Sequence, residues 1–173
     1  MTAALDRISA AIATDLDADP STNFGYDFVT VESGGDWDLE LEDDGPPGNP
    51  NRLHVDLVGV YDRMELHSHP SDDGTKDVRH VCTFQVIVRR RLAAKDRIES
   101  SGRILFAVVQ GLTECVEKIA MYFMCRTLST LAEATWIHED GDGIELIRYP
   151  KDLRENSQFT GIARISYELV ERD

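Results

Sequence analysis

Two stretches decide the fold: Leu53-His-Val-Asp-Leu-Val-Gly-Val-Tyr-Asp-Arg-Met-Glu-Leu66 and Val81-Cys-Thr-Phe-Gln-Val-Ile-Val-Arg89. Leu53, Val55 and Leu57 recur at every second position in the first, and Phe84, Val86 and Val88 do so in the second. Apolar side chains at period two mark a strand with one face buried. Between them lies His67-Ser-His-Pro-Ser-Asp-Asp-Gly-Thr-Lys-Asp77, without a large apolar side chain, which reads as an exposed hairpin tip. The two strands and their tip predict an arm over about residues 60–82, long enough to reach a neighbouring molecule.

On the C-terminal side of the arm the period changes. Leu105, Val108, Val109, Leu112, Val116, Ile119 and Phe123 form a single helical stripe. Asp96 followed by Glu99 has the form of a capping box with Asp in place of Ser or Thr. Together they predict a central helix over 97–120, tolerant of Gly102 and Gly111. Residues 121–133 fit either more helix or a loop. Short strands at Ala134 to His138 and Ile144 to Tyr149 flank the turn Glu139-Asp-Gly-Asp-Gly143. After a polar link, Phe159, Gly161, Ala163, Ile165, Tyr167 and Leu169 alternate as a final strand.

On the N-terminal side, Leu5, Ile8, Ile12 and Leu16 make one apolar helix stripe. Asp15, Asp17 and Asp19 crowd its C-terminal end, where the helix dipole favours cations, so the helix should stop by about Asp17, ahead of Pro20. Residues 20–50 read as an acidic extension of short strands: Phe24 to Val31, then Trp37, Leu39 and Leu41 alternating with Asp38, Glu40 and Glu42. The stretch from Asp44 to Asn51 is a turn with three prolines and two glycines. Helix, strands, hairpin, helix, strands, with no helical crossover between consecutive strands, is an α+β order. The expectation is a single domain over 1–173. Its mostly antiparallel sheet, with a long protruding β-hairpin, would pack against the N-terminal helix and the long central helix.

Charge narrows the function. The chain has 173 residues and a net charge of −14, from 32 acidic and 18 basic residues. Such a surface repels a phosphate backbone and an anionic membrane. Glu32 to Asp44 alone holds seven acids and no base. It reads either as a solvated loop or as a surface along which DNA slides without sticking. No run of about 18 apolar residues offers a membrane span, and Met1 to Leu16 does not read as a secretory signal. Basic residues are 14 Arg against 4 Lys, a bias found at protein–protein interfaces. Cys82, Cys115 and Cys125 are widely spaced and odd in number, as expected of reduced thiols in a chain made in the cytoplasm.

Few motifs point to chemistry, and no cofactor is expected. His67-Ser-His69-Pro70 resembles the H-x-H-P core of the JAMM-type zinc isopeptidases, in which two imidazoles and a carboxylate hold zinc and a glutamate acts as base. The Ser-x-x-Asp that should follow in register is missing, so that catalytic assignment is not carried over. His67 and His69 remain candidates for an unrelated metal site, with Asp72, Asp73 or His80 as further ligands. A zinc-dependent hydrolase built on them is the enzyme alternative. His54 and His138 read as strand histidines without a role. Arg89-Arg90-Arg91 is the one basic run. It reads as a solvated turn, as a nucleic-acid patch, or as an interface seam towards an acidic neighbouring subunit.

From Leu53 to the C-terminus the chain resembles the tail-terminator and tail-completion proteins of tailed bacteriophages. The features that carry the resemblance run in order: an arm ending in Phe84-Gln-Val-Ile-Val88, a Leu/Val-striped helix from Ile98 to Ile119, and the closing stretch Tyr149-Pro-Lys-Asp-Leu-Arg154 … Gln158-Phe-Thr-Gly-Ile-Ala-Arg-Ile-Ser-Tyr167. It covers roughly two thirds of the chain and leaves the first 50 residues unexplained. It implies a virion structural protein, assembled in the host cytoplasm, that forms a homo-oligomeric ring, usually a hexamer, at the head–tail junction. Such a ring has no active site. It caps the tail tube, meets tail-tube and neck or connector proteins, and lets DNA pass through its lumen without specific binding. Another tail, baseplate or neck assembly component is the nearest alternative.

Overall fold

The computed structural model describes residues 3–33, 52–68, 76–138, 143–145 and 158–172. Helix α1 spans Ala4–Asp17, stopping where the acidic run and Pro20 predict. Its apolar stripe is the buried side: Ile8, Ile12 and Leu16 are fully covered, each contributing on the order of 2 kcal/mol by burial. Asp15, expected to disfavour the helix end, is itself buried and accepts hydrogen bonds from the backbone N–H of Ser129 (3.2 Å) and from the Ser129 hydroxyl. A carboxylate that the helix dipole opposes is thus compensated by two donors.

A short helix α2, Pro20–Phe24, follows where the sequence suggested strand, and β1 (Asp27–Ser33) begins only after Gly25. Proline at the first turn presets the helical φ, and Gly25 ends the helix in the left-handed region. Phe24 then stacks on Phe28 (centroids 5.4 Å apart) and meets the edge of Tyr122 (5.2 Å), tying α2, β1 and the central helix together.

The described residues form a six-stranded sheet. Strand β2 is Arg52–Ser68, β3 Lys76–Arg91, β4 Thr135–Ile137, β5 Gly143–Glu145 and β6 Gln158–Arg172. Their order is β1-β2-β3-β6-β4, with β5 also on β6. Every pairing is antiparallel except β1 on β2, which is parallel. The two long strands are therefore not a bare two-stranded arm. β6 lines β3 from Arg91↔Gln158 to Asp77↔Arg172, so β3 is flanked on both sides along almost its whole length. The tip, residues 69–75, lies outside the described residues, as do the expected acidic strand at 37–42, the Pro/Gly turn at 44–51 and most of the Glu139 to Gly143 turn.

A bulge explains why β2 does not keep its alternation. The register slips by one between Gly59 and Tyr61, leaving Val60 as the extra residue. One inserted residue exchanges the faces of everything beyond it. Met64 and Leu66 consequently lie on the same face as Leu53, Val55 and Leu57. That face, with Phe84, Val86 and Val88 of β3 and Ala163, Ile165 and Tyr167 of β6, shares one core with the stripe of α1 and of the central helix.

The central helix α3 is Phe106–Phe123, starting nine residues later than the capping pattern predicts. Asp96 does not cap it. Its carboxylate binds the buried guanidinium of Arg90 (3.1 and 3.2 Å) and accepts from Ala93 N–H (2.8 Å), closing the 3-10 turn Ala94–Asp96. The buried ion pair takes the residue that would have opened the helix. The following loop folds back through Gly102 at φ +64°, a conformation that favours glycine. At the other end, the Tyr167 hydroxyl donates towards the carbonyl oxygens of Phe123 (3.2 Å) and Arg126 (3.3 Å), anchoring the last turn of α3 on β6. Residues 124–134 leave the helix as turns, pinned by the buried Leu128 and Leu131.

Candidate assembly surfaces

The basic run is divided by strand alternation. Arg89 and Arg90 point to opposite faces of β3 and both are buried. Arg89 binds Asp56 on β2 through Nε (3.0 Å) and Nη2 (2.6 Å), and Arg90 binds Asp96. Only Arg91 is exposed. Two of the three candidate interface arginines thus hold the chain's own carboxylates, and the run does not form one basic face. A further charge ladder crosses three strands. Arg79 on β3 binds Glu168 on β6 (Nε, 2.7 Å) and Glu65 on β2 (3.1 Å), and Glu65 also meets Arg63 (3.0 Å).

The histidine candidates do not come together in the described part. His67 is the penultimate residue of β2, opposite Asp77, while His69, Asp72 and Asp73 lie outside the described residues. His80 sits opposite Met64, with its Nε2 3.6 Å from Glu171, a carboxylate that also binds Arg7 of α1. His54 is paired with Arg89 across β2 and β3, and His138 lies edge-on to Trp136 (6.3 Å). Among the described residues no group of three or more His, Cys, Asp or Glu side chains is placed to hold a metal ion.

Burial works against nucleophilic activation of the described core thiols and phenols. Burial pushes the Cys115 thiol up to about 12, so it stays protonated at neutral pH. Burial likewise raises the Tyr26 and Tyr167 phenols above their ordinary value. Cys82 is also buried, and Cys125 alone of the three is exposed.

What stands out instead is exposed apolar surface. Met64 (63 % exposed) and Leu66 (65 %) lie near one end of the sheet, opposite His80 and Val78. Phe106 (79 %), preceded by the exposed Leu105 and with Ile98 exposed in the same loop, lies at the other end, where β3 has just given way to the loop before α3. The run of β3 from His80 to Arg91 separates them by roughly 35 Å at about 3.3 Å per residue. Neither patch is named by the sequence reading. The signals are a bulge invisible to a period-two count and a phenylalanine that falls off the helical stripe. Leu105, assigned to that stripe, is the residue just before the helix and is part of the exposed patch.

No protein-family model matches the chain, and no curated protein matches it. Among the described residues no helix is long and apolar enough to cross a membrane.

Proposed function

We propose that this chain is a structural assembly protein that builds a homo-oligomer through head-to-tail contacts, in the form of a ring, with six copies as the resemblance to tail-terminator proteins implies. The observation that carries the reading is the placement of two exposed apolar surfaces at opposite ends of the long central strand. Large exposed apolar patches mark surfaces that another protein covers. A heterologous contact, the kind that closes rings, needs two different surfaces on each protomer. The resemblance supplies the specific setting: a ring in the virion of a tailed phage, at the head–tail junction, capping the tail tube and meeting the neck. In this reading the task is geometric and no reaction is catalysed.

The test is mass in solution by light scattering over a concentration series, with negative-stain imaging of the same fractions. A closed ring near six protomers supports the reading. A monomer at every concentration, or a two-fold dimer, counts against it. Addition of zinc, with metal content measured before and after His67→Ala, separates the hydrolase alternative: one bound equivalent lost in the variant would favour it.

A further inference from the structure

The loop between β3 and α3 carries its apolar surface inside a basic rim. Backbone bonds fold Asp96 to Ile98 against Arg103 to Leu105, just ahead of Phe106: Ile98 N–H donates to Arg103 O (2.7 Å) and Leu105 N–H to Asp96 O (2.8 Å), with Ile98, Leu105 and Phe106 all exposed. Lys95 and Arg103 are exposed around them. Arg89 and Arg90 are buried against Asp56 and Asp96, which leaves Arg91, Lys95, Arg97 and Arg103 as the accessible basic residues from Arg89 to Arg103. Of the acids in the same stretch, Asp96 is buried against Arg90, which leaves Glu99 as the exposed one. No side chain caps α3 and no acid lies in its first turn, so the positive end of its dipole faces the same surface.

A surface that is apolar and positive on a strongly negative protein calls for a partner that is apolar and negative. The sequence contains one. Glu32 to Asp44 interleaves Trp37, Leu39 and Leu41 with seven acids and no base. The acids at the two ends of the apolar stretch, Asp36 before it and Glu42, Asp43 and Asp44 after it, match a basic rim around an apolar centre. Asp27 pairs with Arg52 near the Arg91 end, and Ser33 with Leu57 further along, so β1 heads towards the end that carries Met64 and Leu66.

We propose that the acidic segment Glu32–Asp44 of a second copy of this chain docks on the Ile98, Leu105 and Phe106 surface and its Lys95 and Arg103 rim. This rests on the assembly reading and deepens it, giving the acids a contact between subunits in place of a DNA-lining one.

Charge exchange tests it on the full chain. One variant carries Lys95→Glu and Arg103→Glu, the other Asp36→Lys, Glu42→Lys and Asp43→Lys. Each alone is expected to weaken self-association on the order of tenfold or more, about 1.4 kcal/mol per decade. Mixing the two is expected to restore it, because each reversed patch then meets a reversed segment. Restoration also shows that both variants are folded. Oligomers that form normally in each single variant would overturn this inference and leave the assembly reading standing. Rescue only when all five changes sit in one chain, and never in the mixture, would assign the contact to a single chain and also overturn it. A wild-type chain that is monomeric at every concentration would remove the assembly reading, and this inference with it.

Discussion

Arg90 and Asp96 show how a single pair can set the course of the chain. Both are buried, so removing one partner strands a charge. Asp96→Ala leaves the Arg90 guanidinium and the Ala93 N–H without their acceptor, and is expected to cost about 3–5 kcal/mol. Replacing both residues with apolar ones of similar size should recover most of that loss, and urea unfolding at constant m separates the two outcomes. The cysteines give a second test at this scale. One thiol, Cys125, should react with a thiol reagent in the native state and all three after unfolding. Cys115 ionises near its ordinary value of 9.0 in the unfolded chain and at about 12 when folded. Between those values the unfolded chain releases a proton that the folded one keeps, so stability falls as pH rises. The loss from this group is about 1.4 kcal/mol per pH unit across that window. The stability difference between wild type and Cys115→Ala, measured by urea unfolding from pH 8 upwards, should therefore shrink as pH rises. A constant difference would place the thiol in contact with water.

At the scale of elements, the packing of α3 on β6 depends on the absence of a side chain. A Cβ at Gly161 would meet Val116 Cγ2 at 2.7 Å. Gly161→Ala is expected to destabilise by about 1–3 kcal/mol, as overpacking does. Val116→Ala in the same chain should return part of it, since the clash is with that methyl group; equal losses in both chains would point to the backbone instead. Local patterns made α1 and β6 legible: their apolar periods are uninterrupted, and their limits fall within a few residues of the expected ones. The beginning of α3 was not legible, because the capping pattern at Asp96 competes with a buried arginine six residues earlier, a contact that only the folded chain reveals. The bulge at Val60 is hidden for a similar reason. It depends on how β2 registers against β3, and no spacing within β2 alone reports it. The parallel pairing of β1 with β2 is likewise a contact between strands that no spacing within either one reports.

For the whole molecule, the polarity of assembly is the point to establish. If contacts run head to tail, each junction joins the Phe106 end of one copy to the Met64 and Leu66 end of the next. Phe106→Asp should disable one end, and Met64→Glu with Leu66→Glu the other. All three side chains are more than half exposed, so thermal unfolding should change little, within about 0.5 kcal/mol of wild type. Each variant alone should then fail to form closed oligomers. A mixture of the two has one intact pairing, the good Phe106 end of one variant with the good Met64 and Leu66 end of the other. Light scattering of the mixture should show pairs, and nothing larger, because both outer ends are disabled. A two-fold arrangement gives a different result: contact through like ends would let one variant dimerise alone, and mixing would add nothing. The size of the mixed species thus reads the direction of the interface as well as its location.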